Sequence, residues 1–297
     1  MSFRVNPNPM SDLLLGLMQN RKLEDDALNQ LSSGKRINSL SDDPAAVAAL
    51  VTNHAQSGAV DQYLKNLSSV QSSMQLADST LSSVITALTR AITLGTEGAT
   101  DTMSPDNRQA IAEEVRGILS QILNLANTSN QGTYLFAGTA VTTAPFVLDA
   151  TSPSGVRYVG NTGVNNVEVG EGETLPINLP GSQIFSAAGA DVFQALKDLA
   201  DALQSGTNID AANSEVQKAF QQVNTQRAFY GNSLSRLATS QMFLNQRSLQ
   251  LKTAETSLIG ADMAQAATNL TQAESALNAT LAAGGKISQL SLLDYLR

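Results

Sequence analysis

The chain has no cysteine and no tryptophan, a single histidine, and aromatic residues at only 4% of its 297 positions. Without cysteine there is no disulfide framework and no thiolate metal centre. The lone imidazole, His54, has no second histidine or cysteine to share an ion with, so it reads as a solvent-facing or helix-packed side chain. Basic excess is also missing. The net charge is -8, and with no basic stripe to displace counterions from phosphates, neither nucleic acid nor an anionic membrane surface is an expected partner. Long apolar runs are absent as well: the longest, Ala45 to Val51, is far short of the roughly 20 residues that span a bilayer. No basic segment followed by an apolar core opens the chain, so a cleaved secretory signal is not expected.

Catalytic grammar is equally thin. The GxSxG elbow is missing, and apart from His54 only acids and lysines could activate a hydroxyl nucleophile. The adjacent acids Asp25-Asp26, Asp42-Asp43 and Glu113-Glu114 point about 100° apart on a helix and cannot flank a substrate; caps and solvated faces account for them. Gly284-Gly285-Lys286-Ile287 fails as a phosphate loop, because Thr280 stands where the first glycine belongs and Ile287 replaces the hydroxyl. Gly170-Glu171-Gly172-Glu173 puts carboxylates where a phosphate would sit and lacks the alternating Asp/Asn of a calcium loop, so it reads as a hairpin turn. No enzyme activity, cofactor or metal is expected.

What is present is helical seam. From Val60, alternating steps of three and four residues reach Tyr63, Leu67, Val70, Met74, Ala77, Leu81, Val84, Leu88 and Ala91, every one apolar. A stripe that narrow, roughly 48 Å long, demands other long helices beside it. Tyr230, Leu237, Leu244, Leu251 and Leu258 recur every seven residues; beyond them the register slips at Gly260 and continues through Ile259, Met263, Ala266, Leu270, Ala273 and Leu277. Val60, Leu67, Met74, Leu81, Leu88, Leu237, Leu244 and Leu251 are therefore the predicted bundle seam.

Near the start, Pro7 and Pro9 predict an irregular opening, with helix from about Met10. Leu13, Leu14, Leu17, Leu28 and Leu31 then line one face of a helix that Gly34 stops. Asp43-Pro44 and Ser104-Pro105 are start signals for two further helices, the first running past Gly58 to Gly95–Gly98. Between Gln131 and Ala190 the pattern changes to short β-favouring runs: Thr133–Phe136, Pro145–Leu148, Val156–Val159, Val164–Val169 and Thr174–Leu179. Helix returns over Asp191 to Leu203, and a last helical stretch runs from Asp210 to about Ala282, broken at Gly231 and Gly260 and ended by Gly284-Gly285. Residues 1–41 and 235–297 each sum to +1, whereas 42–130 and 131–204 each sum to -5. Near-neutral ends suit close packing among copies, and an acidic middle suits solvent. The fold class is mainly α: a long antiparallel helical bundle or coiled coil made by the N- and C-terminal segments, carrying a small β-rich insert.

Some stretches match as residues and not only as patterns. Leu31-Ser-Ser-Gly-Lys-Arg-Ile-Asn-Ser-Leu-Ser-Asp-Asp-Pro-Ala-Ala46 resembles the amino-terminal signature of bacterial flagellins and flagellin-like axial proteins. Asp262-Met-Ala-Gln-Ala-Ala-Thr-Asn-Leu270, with Leu290 to Leu296, resembles their carboxyl-terminal end. Thr133-Tyr-Leu-Phe-Ala-Gly138 followed by Pro145-Phe146 is similar to a mark of the hook-associated members at the hook-filament junction.

The resemblance implies three domains: an inner pair of terminal helices (1–41 and 256–297), a helical bundle (42–130 and 205–255) and a β-rich outer domain (131–190), with 191–204 a helix returning to the bundle. It implies a structural adaptor: a ring of copies between another hook-associated protein and the flagellin filament. The protein would lie outside the cell, exported without a cleaved signal through the flagellar type III channel with help from an export chaperone. Leu13, Leu14, Leu17, Leu28, Leu31, Met263, Leu270, Leu277 and Leu281 are the expected inter-subunit contacts. Two other readings are flagellin proper, as a filament subunit, and a type III-secreted coiled-coil translocator. The second requires an apolar hairpin of about 18 or more residues, which the chain lacks.

Overall fold

A computed structural model describes residues 9–295, with side chains described from 11 to 286. Helix α1 (Pro9–Ser33) is followed by α2 (Pro44–Gly98) and α3 (Pro105–Ala126). Both start signals work through hydrogen bonds: Asp43 Oδ1 accepts from the Ala46 amide at 3.0 Å, and Ser104 Oγ from the Asn107 amide at 3.3 Å. Six short strands come next, β1 (Ser129–Asn130), β2 (Thr133–Tyr134), β3 (Phe146–Leu148), β4 (Val156–Tyr158), β5 (Asn166–Gly170) and β6 (Glu173–Pro176). Then come α4 (Gly181–Phe185), β7 (Ser186–Ala187) and β8 (Ala190–Asp191). Three helices complete the chain: α5 (Val192–Ser205), α6 (Ile209–Ile259) and α7 (Met263–Tyr295).

Contacts divide the chain into two compact units, Met1–Ala59 with Ser248–Arg297, and Val60–Arg247. In the second unit the seam is the core: Val60, Leu67, Met74, Leu81, Leu88, Leu237 and Leu244 are all buried. Tyr63 is the exception, half-buried with its hydroxyl donating to Glu168 at 3.2 Å. A two-point ion pair fixes α6 on α2, with Arg227 Nε and Nη2 donating to Asp78 at 2.8 and 3.1 Å. Further along α2, Asn213 lies so close to Gly95 that a Cβ there would come within 2.6 Å of its Oδ1. Glycine is needed at that crossing for close approach.

The insert differs from the five runs read from sequence. Its strands are eight, short, and paired only as four antiparallel hairpins, β1-β2, β3-β4, β5-β6 and β7-β8. The reason is that rings, not a sheet, make its core: Phe136 and Phe146 each meet Phe185 edge-on, at 5.4 and 5.5 Å, and Phe146 lies 5.2 Å from Phe193. The Glu171-Gly172 turn does join β5 to β6, with Gly172 at φ +71°.

Three helix boundaries need correction. Residues 1–8 lie outside the described ones, but Pro9 opens α1, where its missing amide hydrogen costs nothing. Gly231 does not break its helix but is absorbed into α6, while α2 runs past Gly58 as expected. Gly284-Gly285 does not end the last helix: α7 runs through to Tyr295. A Cβ on Gly284 would stand 2.9 Å from Leu13 Cδ2, so this glycine admits a neighbour instead of stopping the helix.

Candidate assembly surface

The first unit contains the α1–α7 pair. Leu13 sits at Gly284, Asn20 Nδ2 donates to Thr280 Oγ1 at 2.9 Å, and Lys35 pairs with Gly260. Rising numbers on one helix meet falling numbers on the other, so the two run antiparallel. Small residues carry the closest contact, with Ala27, Ala266 and Ala273 buried. Leu13, Leu17, Leu31, Leu270 and Leu277 are half-buried along the same seam.

Other predicted contact residues point away from it. Leu14 and Leu28 are 52% and 46% exposed, and Met263 and Leu281 are 47% and 53% exposed. Three more belong with them that periodicity alone does not single out: Leu15, Met18 and Leu23, each more than half exposed. The signal for Leu15 and Met18 is the run Leu13-Leu-Leu-Gly-Leu-Met18, an apolar stretch too broad for one partner helix to cover, whereas Leu23 stands alone among Arg21, Lys22 and Glu24. The predicted set therefore splits in two, one half holding α1 to α7 and the other left facing outward. An apolar set of this extent on a described surface is a candidate interaction face. The side chains from 287 onward, including Leu290 to Leu296, lie outside the described ones.

Of the predicted seam residues, Leu251 alone belongs to this first unit, buried beside Asn53, whose Nδ2 donates to the Leu251 carbonyl at 3.1 Å. His54 is exposed, with Nε2 3.0 Å from Glu255 Oε1. Among the described residues, no group of three or more histidine or acidic side chains could hold a metal, and no helix is long and apolar enough to cross a membrane.

The Thr133–Gly138 stretch turns out to fold the insert. Phe136 is fully buried, and its carbonyl accepts both the Gly181 amide at 2.7 Å and the Tyr158 hydroxyl at 3.1 Å. Gly138 has φ +72°, and a side chain there would run into the Asn161 carbonyl. Tyr230 ties α6 to the same region, accepting the Leu179 amide at 3.3 Å; burial pushes its phenol well above the ordinary range.

Long helices on a heptad seam, a ring-packed insert and an outward apolar face on the terminal pair define a structural helical protein, one whose chemistry is contact. The chain matches the bacterial flagellin N-terminal helical region over residues 6–141 and the flagellin C-terminal helical region over 214–296. It is 30% identical to flagellar hook-associated protein 3 of Salmonella typhimurium, covering 84% of this chain and 86% of that one. Against flagellar hook-associated protein 3 of Escherichia coli K12 it is 28% identical, covering 89% and 90%. The solved flagellar junction protein FlgL of Legionella pneumophila shares the fold, with a TM-score of 0.62 at 13% identity over 71% of this chain and 100% of that one. The chain belongs to the bacterial flagellin family, among its hook-associated members. Members of that family are structural proteins, and this chain is not an enzyme.

Proposed function

We propose that this protein is a structural adaptor of the bacterial flagellum, forming a ring of copies between another hook-associated protein and the flagellin filament. Its place is outside the cell at the hook-filament junction, reached through the type III export channel with an export chaperone. The division of labour is threefold: residues 1–41 and 256–297 as the inner assembling pair, 42–130 and 205–255 as the bundle, and 131–190 as the outer domain. The observation that carries the reading is the split of apolar side chains on α1 and α7. Leu13, Leu17, Leu31, Leu270 and Leu277 close the pair, while Leu14, Leu28, Met263 and Leu281 remain uncovered and await neighbouring subunits. Ordering of the terminal helices is then coupled to assembly, apolar burial offsetting the entropy of fixing the chain.

Deleting residues 1–40 tests this directly. The expected product retains the folded bundle, seen as cooperative melting, and no longer joins hook to filament. A truncated protein that still supports filament growth would sink the proposal. The family match at both ends also fits a filament subunit. Antibody labelling along the whole filament, instead of at one junction, would select that second reading.

A further inference from the structure

The signature stretch Leu31–Ala46 is not explained by the assembly surface, since most of it lies in the connection between α1 and α2. What it does is visible where α1 ends. Gly34 takes φ +68° and its amide donates to the Gln30 carbonyl at 2.9 Å, a left-handed helix cap. The interruption that follows lies against the interruption between α6 and α7. Lys35 and Gly260 pair antiparallel; the Arg36 amide donates to the Ile259 carbonyl at 2.7 Å, and the Ala261 amide to the Gly34 carbonyl at 3.0 Å. Gly260 is required here, because a Cβ would strike the Thr256 carbonyl.

The Arg36 side chain adds a second layer. Its Nη2 donates to the Leu258 carbonyl at 3.0 Å, and its guanidinium reaches Asp43 Oδ2 at 3.3 and 3.4 Å. Asp43 is the residue that caps α2, and Asp262, beside Ala261, caps α7 by accepting the Ala264 and Gln265 amides at 3.0 and 3.1 Å. One arginine thus holds the end of α6 and the cap of α2, while its own backbone is bonded into the α6–α7 break. By contrast, the α1–α7 seam is made mostly of Ala and Leu, with Asn20–Thr280 a polar pin near its far end. Apolar seams of repeated character tolerate sliding, and a polar feature is what specifies register.

We propose that the Gly34–Asp43 connection and the Ile259–Asp262 break form one clasp that sets the register of the α1–α7 pair, with Arg36 as its positioning residue. The proposal rests on the reading of α1 and α7 as the assembling pair. A slip of one turn, about 5.4 Å, would leave the pair closed but shift Leu14 and Leu28 relative to Met263 and Leu281, presenting neighbours with the wrong surface.

The absence of cysteine makes the test clean. Disulfide trapping in the full chain compares Leu13→Cys with Gly284→Cys, which are in register, and Leu17→Cys with Gly284→Cys, one turn out, both of which leave the Asn20–Thr280 pin in place. With Arg36 present the in-register bridge dominates. Arg36→Ala is expected to lower the ratio of in-register to out-of-register bridge roughly fivefold, the size of losing a solvent-exposed charge-assisted pair together with the bond to the Leu258 carbonyl. Arg36→Lys keeps the charge but gathers its donors on one nitrogen in place of the spread guanidinium fork, and it falls between. Loss of both bridges with helix content retained means that the pair opens instead of slipping, and it overturns the clasp as a register device. A ratio unchanged within about twofold in Arg36→Ala overturns the clasp. Should Arg36→Ala fail to fold, Asp43→Asn, which keeps a capping side chain, decides by the same ratio. Ring formation by the unmodified chain is scored in parallel: no ring with an intact register effect removes the assembly reading alone, and a ring with no register effect removes the clasp alone.

Discussion

Gly138 shows how one atom's worth of space decides a whole element. The backbone there sits in the left-handed region, and the Asn161 carbonyl occupies the position a Cβ would need. Asn161 also uses its side chain locally, its Oδ1 accepting the Thr139 and Gly163 amides at 2.8 and 3.0 Å. Gly138→Ala therefore adds both backbone strain and a clash with main chain that has no freedom to withdraw. The expected cost is about 1–3 kcal/mol. It should be read as a lowered denaturant midpoint by tyrosine fluorescence, since the chain has no tryptophan. An unchanged midpoint would mean the insert gives way at this turn. Gly117, where an added methyl would meet nothing within 4 Å, serves as the control: alanine there should be neutral or mildly stabilising, as expected in a helix interior.

The clasp predicts how the α1–α2 connection behaves in acid. Asp42 is held below the ordinary carboxylate range first by the Ser39 hydroxyl and then by the Ser39 and Asn38 amides, and Asp43 first by the Ala46 amide and also by Arg36. Groups with depressed folded pKa values stabilise fully above their unfolded value, near 4, and lose that contribution as pH falls through the folded value. The denaturant midpoint of the full chain should thus drop between about pH 4 and the depressed range, and the drop should shrink in the Asp42→Asn, Asp43→Asn double variant. Equal acid sensitivity in the two proteins would contradict this. Asp43-Pro44 and Ser104-Pro105 are legible as helix starts because capping is local chemistry, and the Val60–Ala91 stripe is legible because its period survives any tertiary context. Gly284 is not, because a stop glycine and a close-approach glycine look alike until Leu13 is placed beside it. Composition marks five strands where the fold has eight because β1, β7 and β8 are two residues each, set by pairing across turns and not by β-favouring residues. The candidate surface is half legible: periodicity marks residues that are apolar, but which face pairs with α7 and which stays open depends on a partner helix some 250 positions away.

At the scale of the chain, charge and apolar surface make opposing demands on assembly. Copies carrying -8 each repel one another, yet α1 and α7 offer Leu14, Leu15, Met18, Leu28, Met263 and Leu281 for burial between them. The two end segments are each close to neutral, at +1, so the repulsion arises from the middle of the sequence and acts over distance. Salt shortens that reach, the screening length falling from about 10 Å at 0.1 M to about 3 Å at 1 M, while leaving short-range apolar contact in place. Self-association of the purified full chain is therefore expected to strengthen as sodium chloride rises, measured by sedimentation velocity at fixed protein concentration. Replacing Leu14 and Leu28 with serine should weaken the association at every salt concentration, because two of the six outward apolar side chains no longer contribute burial while the repulsion is unchanged. Association that weakens with salt would instead place attraction between opposite charges at the contact, and the outward leucines would lose their role.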